Sequence, residues 1–310
     1  MNNAPPVQHI TVLQQEVVDG LAVIPGGTYV DCTLGAGGHA AAVLAASSPG
    51  GRLLGIDADP RAIRAAERRL QEWRGQYVLV NNTFANLQAV CASLGFTRVN
   101  GVYFDLGISS AQLSEPERGF SFLTDDPLDM RFGPLQSRTA ADAVNDLPQE
   151  ELARVLWTYG EEPRSRAIAR RIAAARPVRS TGELARIVAG VYRGPRGRIH
   201  PATRSFQALR IWVNDELAAL GAALRQAVAV TGPGGRICVI SFHSLEDRMT
   251  KQWFRQESTD CICPPGLPVC VCGHQATLKL ITRRHIAPSV EEIERNPRAR
   301  SAKLRIAERI

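Results

Sequence analysis

Apolar and polar residues follow a repeating order along the first hundred positions, with short apolar runs separated by longer amphipathic segments. The apolar runs lie at 28–35, 52–59, 77–84 and 101–107. The amphipathic segments between them lie at 38–46, 60–73 and 84–94. Short continuous apolar runs predict buried strands, and apolar residues at helical spacing predict helices. Strands that alternate with such helices predict parallel βαβ units with right-handed crossovers.

This alternation stops after residue 114 and returns only beyond residue 200. Helical patterns fill the gap, at 142–159, 161–175 and 181–192. A long amphipathic segment at 203–228 then leads into an apolar run at 234–244. The last apolar stretches, 277–284 and 302–310, predict a terminal pair of strands. The sequence therefore predicts an α/β sheet domain in two parts, 1–113 and 205–310, interrupted by an inserted all-helical domain at 114–204.

Composition fits a globular chain with a sizeable core, since 45% of the 310 residues are hydrophobic and 22% are charged. The net charge of +7 raises the odds of a polyanionic partner without requiring one. No window approaches about 18 consecutive apolar residues, and the N-terminus lacks the pattern of a secretory signal. We therefore expect a cytoplasmic protein, with no membrane span and no disulfides among its seven cysteines.

The stretch DCTLGAGGHA, residues 31–40, follows the first predicted strand and fits two kinds of ligand site. As Gly35-x-Gly37-x-x-Ala40 it matches a dinucleotide fingerprint. As an acidic residue four positions before Gly35-x-Gly37 it matches the turn of S-adenosylmethionine enzymes. Asp57, at the end of the second predicted strand, suits the ribose diol that both ligands contain. His39 is an awkward neighbour for a pyrophosphate and suits a neutral or zwitterionic ligand better, but spacing alone leaves both readings open.

A cluster of cysteines near the C-terminus is a candidate metal site. Cys261-x-Cys263 and Cys270-x-Cys272 offer four thiols, which is the ligand number of a tetrahedral zinc site. Each pair is separated by one residue, whereas structural zinc sites usually have about two to four. One hypothesis is that this loop binds zinc, in a structural or RNA-facing role. The alternative is that it binds no metal.

Several long motifs together resemble one family. They are HITVLQQEVVDGL, DCTLGAGGHA, GIDADPRAI, GVYFDLGISSAQLSEPERGFSF, PLDMRF, HPATRSFQALRIWVNDEL, ISFHSLEDR and NPRARSAKLRIAER. In this order they are similar to the bacterial small-subunit (16S) ribosomal RNA cytosine-N4 methyltransferases, from about residue 9 to residue 310. The resemblance implies a Rossmann-like, S-adenosylmethionine-dependent methyltransferase sheet that carries an inserted helical domain. It also implies a partner, which is small-subunit ribosomal RNA or the assembled small subunit.

The resemblance carries over a set of cofactor contacts. These are Gly37, Gly38, His39, Asp57, Phe84, Asp105 and Gln112. The glycines and the histidine would line the methionine side, Asp57 would take the ribose and Phe84 would lie against the adenine. The first candidate for accepting a hydrogen bond from the cytosine amine is Asp105, because a carboxylate that ends an apolar strand is costly without a partner. Ser109 and Ser110 are further catalytic candidates, for which a loop and helix cap is the alternative interpretation.

Basic residues in two of these motifs predict RNA contacts. Arg204 and Arg210 lie in the long motif at 200–217, and further arginines and lysine lie in NPRARSAKLR. His243, in SFHSLED, is expected beside the substrate, while Ser244 and Asp247 fit a helix capping box. Two other functions are compatible with parts of the sequence. The spacing of the glycines and Asp57 also fits an NAD-dependent oxidoreductase, and the basic charge also fits an RNA-binding protein without catalysis.

Overall fold

The computed structural model describes residues 10–109, 112–113, 115–192, 200–264 and 269–310. These residues form two compact units. A sheet unit contains the chain up to Gly107 and again from Ala218 to Ile310, and a helical unit contains Ile108–Leu217. The helical segment is thus an insertion into the sheet unit, after its fourth strand. Among the described residues, no helix is both long and apolar enough to cross a membrane.

The strands of the sheet unit lie where the apolar runs predict them. They are β1 (Thr28–Asp31), β2 (Arg52–Asp57), β3 (Tyr77–Asn81), β4 (Val99–Asp105), β5 (Thr231–Ser241), β6 (Leu278–Leu280) and β7 (Lys303–Arg309). Within the described part of the chain they form one sheet of order β3-β2-β1-β4-β5-β7-β6. The strands from β3 to β5 pair in parallel, whereas β7 runs antiparallel between β5 and β6. The predicted terminal pair of strands is therefore the antiparallel edge of an otherwise parallel sheet.

Helices cover both faces of this sheet. They are α1 (Gln14–Leu21), α2 (Gly38–Ala46), α3 (Pro60–Arg69), α4 (Leu87–Ser93), α10 (Glu216–Val230), α11 (Ser244–Glu257) and α12 (Val290–Arg295). Successive strand residues point to opposite faces, so Tyr103 packs in one core cluster while Val102 and Phe104 pack in the other. Burial on both faces explains why the parallel strands appear in the sequence as continuous apolar runs.

The helical unit contains α5 (Ala140–Asn145), α6 (Gln149–Gly160), α7 (Ser165–Ala175), α8 (Thr181–Ala189) and α9 (Thr203–Asn214). The pattern at 142–159 predicts one helix, but the chain forms two, with Thr139 capping the first and Pro148 preceding the second. The pattern at 203–228 also predicts one helix. It is broken at Asp215, whose φ of 50° lies in the left-handed region. Asp adopts this backbone conformation more readily than most other residues that have a side chain.

The helical unit extends beyond the predicted insertion at both ends. At the C-terminal end, α9 belongs to it because Phe206, Leu209 and Val213 are part of its core. The approach of α9 to α6 is close, since a Cβ added at Gly160 would lie 2.5 Å from the Arg204 carbonyl oxygen. Amphipathic spacing alone does not reveal which of two cores a helix packs against.

Candidate active site at the carboxyl edge of the sheet

The chain turns sharply between β1 and α2, at the carboxyl edge of the sheet. Gly35 and Gly37 have φ angles of 51° and 76°, in the left-handed region that disfavours residues with a Cβ. The Gly37 amide donates to the Leu34 carbonyl at 2.8 Å, which closes the turn directly before α2 begins. Ligands of open parallel sheets bind beyond the carboxyl ends of the strands, which is where this turn lies.

Gly38 is required for a different reason, the close approach of the N-terminal segment. A Cβ added at Gly38 would lie 2.0 Å from Thr11 Oγ1 and 3.2 Å from Thr11 Cβ. The Gln14 side-chain amide also donates to the Gly38 carbonyl at 3.0 Å. The first described residues of the chain therefore pack directly on the start of α2.

Asp57 fastens the glycine turn to the end of β2. Its carboxylate accepts the Gly35 amide on Oδ2 and the Asp59 amide on Oδ1, each at 2.8 Å. Its main-chain carbonyl accepts hydrogen bonds from Asn81 and Asn82. The predicted contact of Asp57 with a ribose stays a prediction, and the structure adds that this carboxylate holds the turn in place.

His39 and Asp105 face each other beside the turn. Nε2 of His39 lies 3.5 Å from Oδ2 of Asp105, and the His39 residue is 5% exposed. The Asp105 main chain is fixed by a 2.6 Å hydrogen bond from its amide to Thr33 Oγ1. Both His39 ring nitrogens and Asp105 Oδ1 are buried without a hydrogen-bond partner among the described residues. Buried polar atoms are nearly always paired, so these atoms make the edge of the glycine turn a candidate ligand site.

A second carboxylate lies below this pair. Asp31 is 1% exposed and its Oδ1 accepts the Thr33 amide at 3.0 Å. Burial raises the pKa of Asp31 to about 7, against the opposing effects of His39, the Thr33 amide and the Tyr103 hydroxyl, while Asp105 adds to the rise. Burial also raises the pKa of Tyr103 well above its ordinary value. Sequence reasoning missed Tyr103, because inside an apolar strand it resembles any core residue.

We use the name glycine-turn site for the set Asp31, residues 33–39, Asp57, Tyr103 and Asp105. Phe84 lies in the same unit, at the end of β3 and next to Thr83, which caps the short 3₁₀ helix Phe84–Asn86. Its ring is half-buried and meets Phe104 edge to face, with centroids 5.9 Å apart. The predicted stacking of an adenine on Phe84 stays a prediction.

Other predicted site residues belong to the helical unit. The Ser109 amide donates to Gln112 Oε1 at 3.0 Å, and the Gln112 amide donates to Ser109 Oγ at 3.2 Å. This reciprocal pair is the hydrogen-bond pattern of a capping box, which supports the helix-cap interpretation of Ser109. Ser110 lies outside the described residues. The predicted roles of Ser109 in catalysis and of Gln112 in the cofactor pocket stay predictions.

Arg204 and Arg210 have different surroundings inside the helical unit. Arg204 is exposed and donates to the Glu161 carbonyl at 3.4 Å. Arg210 forms a two-pronged ion pair with Glu216, with both N–O distances 2.8 Å and side chains only 12% and 8% exposed. Such a pair has a clear structural role, whereas Arg204 has the free surface that a phosphate contact needs.

The start of α11 corrects the predicted capping box. The cap is His243 rather than Ser244, because His243 Nδ1 accepts the Glu246 amide and the Glu246 carboxylate accepts the His243 amide. Nε2 of His243 also lies 3.1 Å from Glu246 Oε1. Asp247, the predicted partner of Ser244, instead binds Arg305 at 2.7 Å. Since the sequence offers both H-x-x-E and S-x-x-D one residue apart, only the backbone decides between them.

The four predicted metal ligands do come together. Sγ of Cys263 lies 4.0 Å from Sγ of Cys270, which lies 3.5 Å from Sγ of Cys272. Sγ of Cys272 lies 3.9 Å from Sγ of Cys261, and all four sulfurs lie within 4.8 Å of one another. The remaining cysteines are buried, as their positions on or beside apolar elements predict.

Comparison with known proteins assigns the family. Three relatives, each named ribosomal RNA small subunit methyltransferase H, align with 97% of this chain. The protein of Dehalococcoides mccartyi is 57% identical over 86% of its own length, and that of Thermomicrobium roseum is 53% identical over 94%. The protein of Brevibacillus brevis is 48% identical over 98%. The model of the MraW methylase family matches residues 6–310, so the chain belongs to that family.

Proposed function

We propose that this protein transfers a methyl group from S-adenosylmethionine to the exocyclic N4 of a cytosine in small-subunit ribosomal RNA. The names of the relatives support the RNA substrate, and the family supports methyl transfer over the NAD-dependent oxidoreductase that the glycine spacing left open. The observation that carries the proposal is the unpaired polar group of His39 and Asp105 beside the glycine turn.

The residues of the glycine-turn site fit S-adenosylmethionine better than a dinucleotide. Asp57 and Asp105 place two carboxylates at the site, which attract a ligand with an ammonium and a sulfonium. The same carboxylates would repel a pyrophosphate. Gly35 and Gly37 hold the turn before α2 in left-handed backbone conformations, at the carboxyl edge of the sheet where ligands of such sheets bind. We assign the methionine portion to Gly37, Gly38 and His39, and the ribose to Asp57.

When bound, S-adenosylmethionine supplies an activated methyl group on its sulfonium. The protein must then align a poor nucleophile, because the lone pair of the cytosine amine is delocalised into the ring. Alignment of nitrogen, methyl and sulfur is mainly an orientation effect, which suits groups fixed by backbone hydrogen bonds as Asp105 is through Thr33.

Asp105 is our candidate for the group that receives the amine. Its Oδ1 is buried and unpaired, so it can accept one amine N–H and draw the nitrogen lone pair out of conjugation. The nitrogen carries a surplus proton after methyl transfer, and the same carboxylate can accept it. No step uses a cysteine nucleophile, in line with the buried positions of Cys32 and Cys238.

The target base has to leave its stack before its amine can reach a buried carboxylate. Exposed basic side chains would bind the phosphates of the RNA around the target base. Arg204 is our candidate for a phosphate contact because its side chain is exposed. Arg298 and Arg300 are also exposed, whereas Lys303 and Arg305 pair with Asp247. The substrate class is therefore a splayed pyrimidine with flanking phosphates, in free RNA or in the assembled small subunit.

Transfer of labelled methyl groups tests this function directly. The purified protein, labelled S-adenosylmethionine and small ribosomal subunits or their free RNA are incubated, and the RNA is digested to nucleosides. We expect label in N4-methylated cytidine, from one of the two substrates at least. Subunits that already carry the methyl group serve as the matched control and should accept none. Label at a ring carbon, or no label in either substrate, would contradict the proposal.

A further inference from the structure

The loop between α11 and β6 is attached to the rest of the sheet unit by hydrogen bonds at its two ends. We call residues 258–277 the cysteine loop. Thr277 donates its amide to the Glu257 carbonyl at 2.8 Å and its hydroxyl to Glu257 Oε2 at 2.7 Å. The Ala276 amide donates to Asp260 Oδ1 at 3.2 Å. These bonds, together with the 3.1 Å contact between His274 Nε2 and the Gln256 carbonyl, attach the loop to the end of α11.

Hydrophobic burial does not hold the part of the cysteine loop that the structure describes, residues 258–264 and 269–277. None of its described residues is buried, and Ile262, Val269 and Val271 are 45%, 70% and 79% exposed. A segment of this size cannot assemble a hydrophobic core and needs a covalent or metal cross-link to keep one conformation. The contacts that do converge in it are those among the four thiols.

The sulfur positions match a metal centre and not disulfides. The measured Sγ separations of 3.5, 3.9 and 4.0 Å are far longer than the ~2.05 Å of a disulfide bond. Four sulfurs placed about 2.3 Å from a central zinc ion at tetrahedral angles lie about 3.8 Å apart. The cluster therefore has the size of a zinc tetrathiolate.

Backbone amides point at these sulfurs as well. The Ile262 amide donates to Cys272 Sγ and the Val271 amide donates to Cys263 Sγ, both at 3.4 Å. The Cys263 amide donates to Cys261 Sγ at 3.5 Å. Amide donors stabilise thiolates, which are the form that binds metal, and four thiolates at this distance repel one another unless a cation lies between them.

We propose that Cys261, Cys263, Cys270 and Cys272 bind one zinc ion in a closed tetrahedral site that fixes the cysteine loop. Four protein ligands leave no open position for a water or substrate, so the role of the ion is structural. Binding releases the thiol protons and involves no change of oxidation state. The single-residue spacing within each pair is unusual for zinc, but the 3.5 Å between Cys270 and Cys272 shows that the chain can bring such neighbours together.

Metal content of the full-length protein tests the site first. The protein is purified under reducing conditions without chelator from cells grown with added zinc, and its metals are measured by mass spectrometry. We expect one zinc per chain. After removal of zinc, addition of cobalt(II) should give the visible absorption bands of a tetrahedral thiolate complex. Protein that is folded and reduced but contains no stoichiometric zinc, or contains iron instead, overturns the proposal.

Variants then locate the ion and its effect. Cys263→Ser and Cys272→Ser should each lose the zinc, whereas Val271→Ser, an exposed substitution between two of the ligands, should keep it. With zinc at about 100 times its dissociation constant, mass action should make proteolytic cleavage within residues 258–277 about 100-fold slower than in the metal-free protein. Zinc retained in both cysteine variants, or cleavage rates independent of zinc, would contradict the assignment. Neither readout depends on methyl transfer, so this proposal and the proposed function can fail separately.

Discussion

Two pairs of ionisable residues in this molecule have opposite surroundings. At the glycine-turn site, His39 and Asp105 keep buried nitrogen and oxygen atoms without a hydrogen-bond partner in the described structure. In the helical unit, Arg210 and Glu216 satisfy each other through two hydrogen bonds of 2.8 Å. All four residues lie in motifs that carry the family resemblance. A family motif therefore contains both kinds of residue, and only the hydrogen-bond partners in the structure distinguish them.

The largest effect, on the rate of methyl transfer, should follow from replacing the carboxylate of Asp105. Asp105→Asn keeps the size of the side chain but removes its negative charge and its ability to accept a proton. Loss of a proton acceptor typically costs about 10²- to 10⁴-fold in rate, so we expect kcat for methyl transfer to fall within that range. Steady-state kinetics with small subunits measure kcat, and calorimetric titration measures the affinity for S-adenosylmethionine.

A carboxylate with its hydrogen bonds already satisfied provides the control. Asp59 caps α3 by accepting the Arg61 amide at 2.9 Å, and Asn is nearly as good a cap as Asp. Asp59→Asn should therefore leave kcat close to that of the wild type. If Asp105→Asn also retained most of its activity, the unpaired oxygen would have no role in the reaction.

The next largest effect should be on stability and not on catalysis. Arg210→Ala removes the partner of the Glu216 carboxylate, whose side chain is 8% exposed. Breaking a buried pair by removing one member costs roughly 3–5 kcal/mol, because the other charge stays buried. We expect the free energy of unfolding, measured by denaturant titration, to fall by about that amount.

A double substitution distinguishes this structural role from RNA binding. Arg210→Met combined with Glu216→Leu removes both charges, and stability should recover substantially, since apolar replacement of a whole buried pair is often neutral. RNA affinity of this folded double variant should stay near the wild-type value. A large loss of RNA affinity without a loss of stability would show that Arg210 contacts RNA and that its role is not only structural.

Much of the fold follows from local rules that the sequence displays. The parallel strands are recognisable because they are buried on both faces, and α2 starts and ends at the predicted residues, Gly38 and Ala46. The sharp turn before it is predictable because Gly35 and Gly37 occupy backbone conformations that other residues adopt at a cost. These are features in which each residue's own chemistry decides the structure.

Other features depend on contacts that no local pattern encodes. A continuous helix through 203–228 would place residues six apart about 240° around its axis, so it predicts no contact between Arg210 and Glu216. The left-handed residue Asp215 breaks that helix and brings the two side chains together. His39 on α2 similarly meets Tyr103 on β4, with ring centroids 6.0 Å apart, through the packing of two elements that are distant in the sequence. Sequence reasoning therefore named candidate site residues but could not predict which of their charged side chains form ion pairs.

A smaller effect should appear in the pH dependence of stability, through Asp31. Its pKa rises from 3.8 to about 7 on folding, so between these values the folded state holds a proton that the unfolded state has lost. The free energy of unfolding should therefore decrease as the pH rises from about 4 to about 7, by an amount on the order of a few kcal/mol, and change little above that.

The substitution Asp31→Asn isolates this contribution. The amide cannot lose a proton, so the decrease between pH 4 and pH 7 should be smaller than in the wild type, as measured by denaturant unfolding at a series of pH values. Asp19→Asn, which removes an exposed carboxylate from α1, is the control for loss of a charge. Parallel curves for the wild type and Asp31→Asn would show that burial at the glycine-turn site carries no cost in stability.

The smallest effect should come from the exposed arginine of the helical unit. Arg204→Ala removes one 3.4 Å hydrogen bond to the Glu161 carbonyl, so we expect its free energy of unfolding to stay within about 0.5 kcal/mol of the wild type. If Arg204 neutralises a phosphate, the slope of log affinity against log salt concentration should decrease in magnitude by about 1. Arg170→Ala, at an exposed position of α7, is the matched control and should leave the slope unchanged. Equal slopes for the two variants would assign the RNA contact to other residues, whereas a change in Arg204→Ala alone would assign a phosphate contact to this exposed arginine.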